Sequence, residues 1–435
     1  MRKLIPLSIA FLFLAAVAVM AAPVEIELWG EYTGFEALGL NDAIDAYNAS
    51  HPNIHVTYTG QQDVDTKVLA AVRAGNPPNV TEVGSNQNFP QLVEGGVYIP
   101  LDDLLKSKNF DLNSFWQPWT SMAVSVGGKT YGIPLTDWTL LLIYNKSMFK
   151  AAGLDPNKPP RTIAEFEQAQ RKLTKKDANG NITQTGLEWR ATFPAWFAAY
   201  YSYMFGATPA TLYDAKAKKY LKPEALYQTW QWMQSFPKEY GAEAMRKFAS
   251  GLGDWGTSAE PFLSGKMAMS LNGPWIADHI RRYAPNMDWG VAPVFAVPAV
   301  NAKGPFAWFG MDQMAIPRGA KNNAEALDFM LWFSGRQGQF IYDAGPKGTG
   351  RVPTTRDFGG QDFFKAAAPV NPKLSAWIDS LKSPALQPIP YGSLAEQAYN
   401  TEFTAILQPI LNLQVDAKAA VDTAVSRAQA ALDKM

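Results

Sequence analysis

The stretch Pro261–Asp278, PFLSGKMAMSLNGPWIAD, decides how the rest of the chain is read. Phe262 and Leu263 end a helix, and Gly265 is the stop, because glycine tolerates the positive φ that closes helices. Met267-Ala268-Met269-Ser270-Leu271 is a short apolar run followed by a turn signal, which predicts a strand buried on both faces of an α/β sheet. Asn272-Gly273-Pro274 breaks it, and Trp275 opens a helix that ends near Arg281-Arg282. A large aromatic therefore stands just past the carboxyl end of a sheet strand, the place where open α/β sheets bind ligands. Position alone leaves two roles open for Trp275, a core aromatic capping the strand or a ligand-facing ring.

Outward from this stretch, strands alternate with helices. Val24–Trp29 (VEIELW) alternates as a strand, Asn41–Ser50 is an amphipathic helix, and Ile54–Tyr58 is the second strand. A helix over Asp63–Ala74 closes on Gly75-Asn76-Pro77-Pro78 before a short strand, Val80–Val83. This spacing predicts βαβ units and a largely parallel sheet. Gly127-Gly128 is a hairpin turn, and Leu140–Tyr144 is an apolar strand. A helix follows over Ile163–Leu173. Residues 186–206 are aromatic-rich, and Trp196, Tyr200 and Tyr203 share one helical face, as a core stripe would. Trp289–Pro298 and Phe306–Pro317 read as further strands, and Asn322–Gly335 and Val415–Leu432 as amphipathic helices.

The 435 residues allow two to three domain-sized units at roughly 150 residues each. With 39 Lys+Arg against 39 Asp+Glu, no global field points to nucleic acid or to an anionic membrane. Residues 1–21 carry Arg2-Lys3, then an apolar run, then Val19-Met20-Ala21. That pattern predicts a secretory signal cleaved after Ala21, with a retained anchor as the other reading. The chain has no cysteine, which excludes disulfides, thiol catalysis and a lipidated cysteine tether. The three histidines, His51, His55 and His279, show no metal-ligand spacing, and neither a GxGxxG nor a P-loop is present.

Several segments, in order, resemble one family. These are the "helix, H-P-x-I-x-V" run at His51–Val56, Val97–Leu104 (VYIPLDDL), and Gly127–Pro134 (GGKTYGIP). The run from Leu140 to Phe149 (LLLIYNKSMF) and the opening F-x-x-G-K-x-A-M-x-x-x-G-P-W continue the series. Together they resemble the ABC-transporter solute-binding proteins of the maltose-binding type, extracellular solute-binding family 1, over essentially the whole mature chain. Asn79 departs from the family's usual aspartate, and Phe309-Gly310 stands where a Gly-Gly pair is usual. The resemblance implies a two-lobed α/β fold of the periplasmic-binding-protein type II class, with a hinge of three crossovers and a central ligand cleft. The N-terminal lobe would comprise 22–135 and 297–335, and the C-terminal lobe 136–296 and 336–435. It further implies a periplasmic receptor, monomeric and without cofactor or catalysis, that delivers a sugar, an oligosaccharide, to an ABC permease.

A sugar offers an apolar C–H face and a rim of hydroxyls, so its site needs flat aromatics with carboxylates or amides beside them. Candidates lie where strands end or lobes meet: Trp29, Glu31 and Tyr32; Asp65; Asn86 and Gln87; Asp137 and Trp138; Trp189, Trp255 and Trp275; Trp308, Phe309, Gly310 and Asp312; and Arg351. By resemblance, the family's acidic N-lobe ligand residue falls on Asp65, its N-lobe aspartate on Asn86, and its C-lobe tryptophan on Trp275. Asp65 and Glu31 also fit solvated surface positions, and Trp255 also fits packing. Two other classes share these features. A glycoside hydrolase needs a positioned acid pair. A receptor for a phosphorylated polyol such as glycerol 3-phosphate needs convergent cations, for which Arg351 is the one attractive loop candidate.

Overall fold

A computed structural model describes residues 22–84, 89–188, 201–358, 360–388 and 394–434. The signal segment, Asn86, Gln87, Trp189, Trp196 and Tyr200 lie outside the described residues. The first strands are β1 (Val24–Gly30), β2 (Ile54–Gly60) and β3 (Val80–Val83). They are separated by helices α1 (Ala37–Ser50) and α2 (Val64–Ala74). Gly127 and Gly128 both adopt positive φ, which gives the tight hairpin between Ser125–Val126 and Lys129–Thr130. The long strand β4 (Gly132–Asn145) follows. Later come β5 (Met269–Asn272), helix α3 (Ile276–Tyr283), β6 (Trp289–Ala292) and β7 (Ala307–Ala315). Helices α4 (Asn323–Ser334) and α5 (Arg336–Ala344), strand β8 (Leu386–Pro388), and helices α6 (Leu394–Leu411) and α7 (Ala417–Leu432) complete the chain.

Among the described residues, eight of these strands form one sheet in the order β5-β4-β7-β3-β1-β2, with β6 also on β4 and β8 on β7. The sheet is mixed rather than largely parallel. β1 runs parallel to β2 and β3, but β4 and β7 pair antiparallel to each other, and β7 antiparallel to β3. The βαβ rhythm applies only to the first half, where helices return the chain so that β2 and β3 add parallel on either side of β1. β4 and β7 run the length of the sheet in opposite senses, so their pairing reverses direction.

β4 is buried along its whole length because it is covered on both faces. Its side chains alternate between cores: Leu140 and Leu142 enter one built with Phe166, Trp230 and Phe403, while Leu141 and Ile143 enter another with Phe262, Ile276 and Trp377. A further core joins Ile26, Leu28, Tyr47, Ile133, Met314 and Phe329 around β1, α1 and α4. Tyr342 on α5, past the boundary expected at 335, packs into this same core. The pairing of β4 and β7 slips between Asp312 and Gln313: Asp312 faces Thr136, whereas Gln313 faces Pro134. Leu135 is thus left over as a bulge, which is how a central strand accommodates a proline that cannot donate to the ladder. The Leu135 carbonyl accepts from Gln339 Nε2 at 2.6 Å.

Candidate functional site

At the middle of the sheet, segments distant in sequence bring buried polar and aromatic side chains together. Tyr32 comes from the turn after β1, Glu82 from β3, Trp138 from β4, Asp312 from β7, and Arg351 from the loop after α5. Trp275 stands immediately before α3, and its ring folds back over Gly273, where a Cβ would lie 2.3 Å from the indole. Tyr32 Oη donates to Asp312 Oδ2 at 2.6 Å, and Trp138 Nε1 donates to Asp312 Oδ1 at 3.2 Å. Arg351 donates to Tyr32 Oη and, at 3.0 Å, to Tyr342 Oη. Its guanidinium lies 3.5 Å from both Glu36 Oε1 and Asp312 Oδ2. It also lies 4.5 Å from the Tyr32 ring centre and 5.4 Å from that of Trp275. Trp138 meets Trp275 edge-on, with centroids 5.9 Å apart and planes at 75°.

Burial sets the electrostatics here. Burial would lower the Arg351 pKa, but Tyr32, Tyr342, Asp312 and Glu36 outweigh it and hold the cation above its ordinary value. Glu82 is pushed up by burial first and then by the nearby Asp312 and Glu31, so its carboxyl stays protonated beyond the usual carboxylate range. Burial likewise raises Glu36 and Tyr32. Within this cluster, Arg351 Nε and Trp275 Nε1 are buried donors with no protein acceptor, as are several other indole N–H groups among the described residues. Such donors are costly unless something accepts from them, and hydroxyl oxygens of a ligand lying against Trp275 would do so.

Of the residues expected from sequence, Tyr32, Trp138, Trp275, Asp312 and Arg351 converge, with Gly310 beneath the Trp138 ring. The other described candidates do not share these side-chain contacts. Trp308, fully buried, lies in the core that Leu140 and Trp138 share, and strand alternation places Phe309 in that of Leu141. Trp29 donates to Glu27 Oε1 at 2.7 Å and packs under α2 with Val64 and Val68. Glu31 is exposed, and its backbone N–H donates to Glu82 Oε2 at 2.6 Å. Asp65 is half-buried in the first turn of α2, near Tyr98. Asp137 points away from Trp138 and accepts from Thr120 Oγ1 at 2.8 Å. Trp255 is 51% exposed and stands edge-on to His279, 4.7 Å away.

Sequence reasoning missed Glu82, Glu36 and Tyr342. Glu82 left a signal, an acid inside the short apolar strand VTEV. Glu36 and Tyr342 left none, since each reads as an ordinary helix or turn residue.

Residues 32–340 match the family described as bacterial extracellular solute-binding protein. A maltotriose-binding protein of Pyrococcus abyssi is 22% identical over 316 residues, 71% of this chain and 62% of that protein. The sn-glycerol-3-phosphate-binding periplasmic protein UgpB of Brucella abortus is 27% identical over 183 residues, 40% of this chain and 42% of that protein. The chain thus spans less than two thirds of the length of these relatives. Among solved structures, CpMnBP1 with mannotriose bound superposes with a TM-score of 0.77 at 28% identity, covering 93% of this chain and 100% of that one.

Proposed function

The chain belongs to the bacterial extracellular solute-binding protein family, and from that premise we propose that it is the substrate-binding protein of an ABC importer, capturing an oligosaccharide against Trp275. The observation that carries this reading is the convergence of Trp275, Trp138 and Tyr32 around a buried guanidinium with an N–H left to give. An indole face matches the apolar face of a pyranose, and the Arg351 and Trp275 donors match its hydroxyl oxygens. The likeness to the mannotriose-bound and maltotriose-binding proteins supports the same ligand class. No bond-making step is required. In this reading, residues 1–21 direct export to the periplasm, the mature protein is a monomer, and it delivers ligand to a membrane permease. No helix among the described residues is long and apolar enough to cross a membrane. The lobes are 22–135 with 297–335 and 136–296 with 336–435, except that α5 packs with the first through Tyr342, and ligand binding closes them about the crossovers.

The likeness to the glycerol-3-phosphate-binding protein favours a second reading, a phosphorylated polyol. Against it, Arg351 already faces two carboxylates, Asp312 and Glu36, so its charge is matched before any anion arrives. Calorimetry of the mature protein against mannotriose, maltotriose and glycerol 3-phosphate tests the choice. An oligosaccharide should bind with little dependence on ionic strength, and Trp275→Ala should weaken it about thirtyfold, about 2 kcal/mol. Salt-sensitive binding of glycerol 3-phosphate alone would overturn the oligosaccharide reading.

A further inference from the structure

We propose that Asp312 is a positioning residue rather than a ligand contact: from beside the bulge it holds Trp275 in its stacking orientation, acting through Trp138 on one side and Arg351 on the other. This rests on the reading of Trp275 as the ligand-stacking ring. Both Asp312 carboxylate oxygens are engaged within the protein. Oδ1 accepts from Trp138 at 3.2 Å, while Oδ2 accepts from Tyr32 at 2.6 Å and lies 3.5 Å from Arg351. Trp138 then presents its ring to Trp275 in a T-shaped contact, and Arg351 places its guanidinium 5.4 Å from the Trp275 ring centre. The indole is therefore held by two side chains, each tied to the same carboxylate.

The backbone supports this arrangement. A bulge bends its strand and re-aims the side chains around it. Here the irregularity falls at Asp312/Gln313, and Gln339 secures the displaced Leu135 carbonyl. Gly310, two residues before Asp312, leaves room for the Trp138 indole, which a Cβ would meet at 2.2 Å. Asp312 and Trp138 lie on the two paired crossover strands, and Tyr32 on the turn after β1. A shift between these segments changes the Asp312 bonds first and the Trp275 ring next. Ligand stacking and the relative placement of the crossovers are in this way coupled through one carboxylate.

The first measurement needs no ligand. In protein labelled with 5-fluorotryptophan, the Trp275 fluorine resonance, assigned by its loss in Trp275→Phe, should shift or broaden in Asp312→Asn. That variant keeps an acceptor but removes the charge opposite Arg351. The second uses mannotriose as the probe. Asp312→Asn should weaken binding tenfold or more in the wild-type background, and less than threefold when Trp275→Ala is already present. Such non-additivity marks a residue acting through another. If Asp312→Asn does not fold, Trp138→Phe, which removes the Nε1–H that reaches Asp312 together with part of the ring that meets Trp275, must show the same coupling. An unmoved fluorine resonance, or two losses that simply multiply, would overturn the proposal. If the wild type does not bind mannotriose, the oligosaccharide reading is what loses support, and the fluorine measurement still decides the positioning role.

Discussion

At the residue scale, Asp137 and Trp138 show how neighbours on one strand take opposite parts. Trp138 faces the polar cluster, while Asp137 turns into the protein and is fully buried beneath Thr120. Burial pushes the Asp137 carboxyl up to about 8, although the Thr120 and Trp119 contacts lower it. Asp343, buried and hydrogen-bonded by Thr349, is pushed up to about 7 for the same first cause. In the unfolded chain both ionise near ~4. Between that pH and the folded values, the native state holds the extra protons, so stability falls as pH rises. The melting temperature should therefore decline from pH 5 to pH 8.5. In Asp137→Asn, whose amide oxygen can still accept from Thr120, the decline should be shallower and the advantage over wild type largest near pH 8.5. A slope identical to wild type would show that Asp137 is not the titrating group.

At the element scale, the paired strands β4 and β7 form the frame on which Trp138 and Asp312 meet. Their apolar runs are continuous because cores lie on both faces, and alternation assigns successive residues to different cores. That is why Trp308 and Phe309, adjacent in sequence, both pack inward, while Gly310 provides space for Trp138 instead of a side chain. Of the Phe309-Gly310 pair that stands where a Gly-Gly is usual, only the second position needs to be glycine. A Gly310→Ala methyl would sit 2.2 Å from Trp138 Cζ2, so the indole must move. Overpacking of this kind costs about 1–3 kcal/mol. Because Trp138 abuts Trp275, oligosaccharide affinity should fall together with stability. Chemical denaturation and calorimetry on the one variant check both, and lost stability with native affinity would separate Trp138 from the site.

At the scale of the whole molecule, Phe35, from the turn after β1, reaches across to α3. Its ring lies edge-on to His279 at 5.3 Å and to Tyr283 at 6.0 Å, and the Arg282 guanidinium lies 4.9 Å from its centre. Next to it, Glu36 meets Arg351. Under the two-lobe reading, these contacts join one lobe to the other and favour the closed arrangement. Phe35→Ala should enlarge the ligand-free radius of gyration in small-angle scattering. It should also weaken ligand binding by the fraction of closed form lost. An unchanged radius and affinity would mean that Phe35 plays no part in closure.

The sequence by itself determined the local elements and the family. Alternation in VEIELW, the Gly75 stop that closes α2, and the paired glycines at 127–128 each act through neighbours a few residues away. The ordered motifs added the family, and Trp275 was legible because it follows a buried strand. Only the tertiary structure decided which tryptophans meet the cluster. Trp138 and Trp308 occupy similar apolar strands, and sequence parity says which residues share a face but not what lies opposite that face. The mixed sheet, the leftover Leu135 and the pairing of Asp312 with Tyr32, 280 residues apart, depend on strand register across the sheet. Register is fixed by burial of both faces at once, a condition that no local stretch of sequence contains.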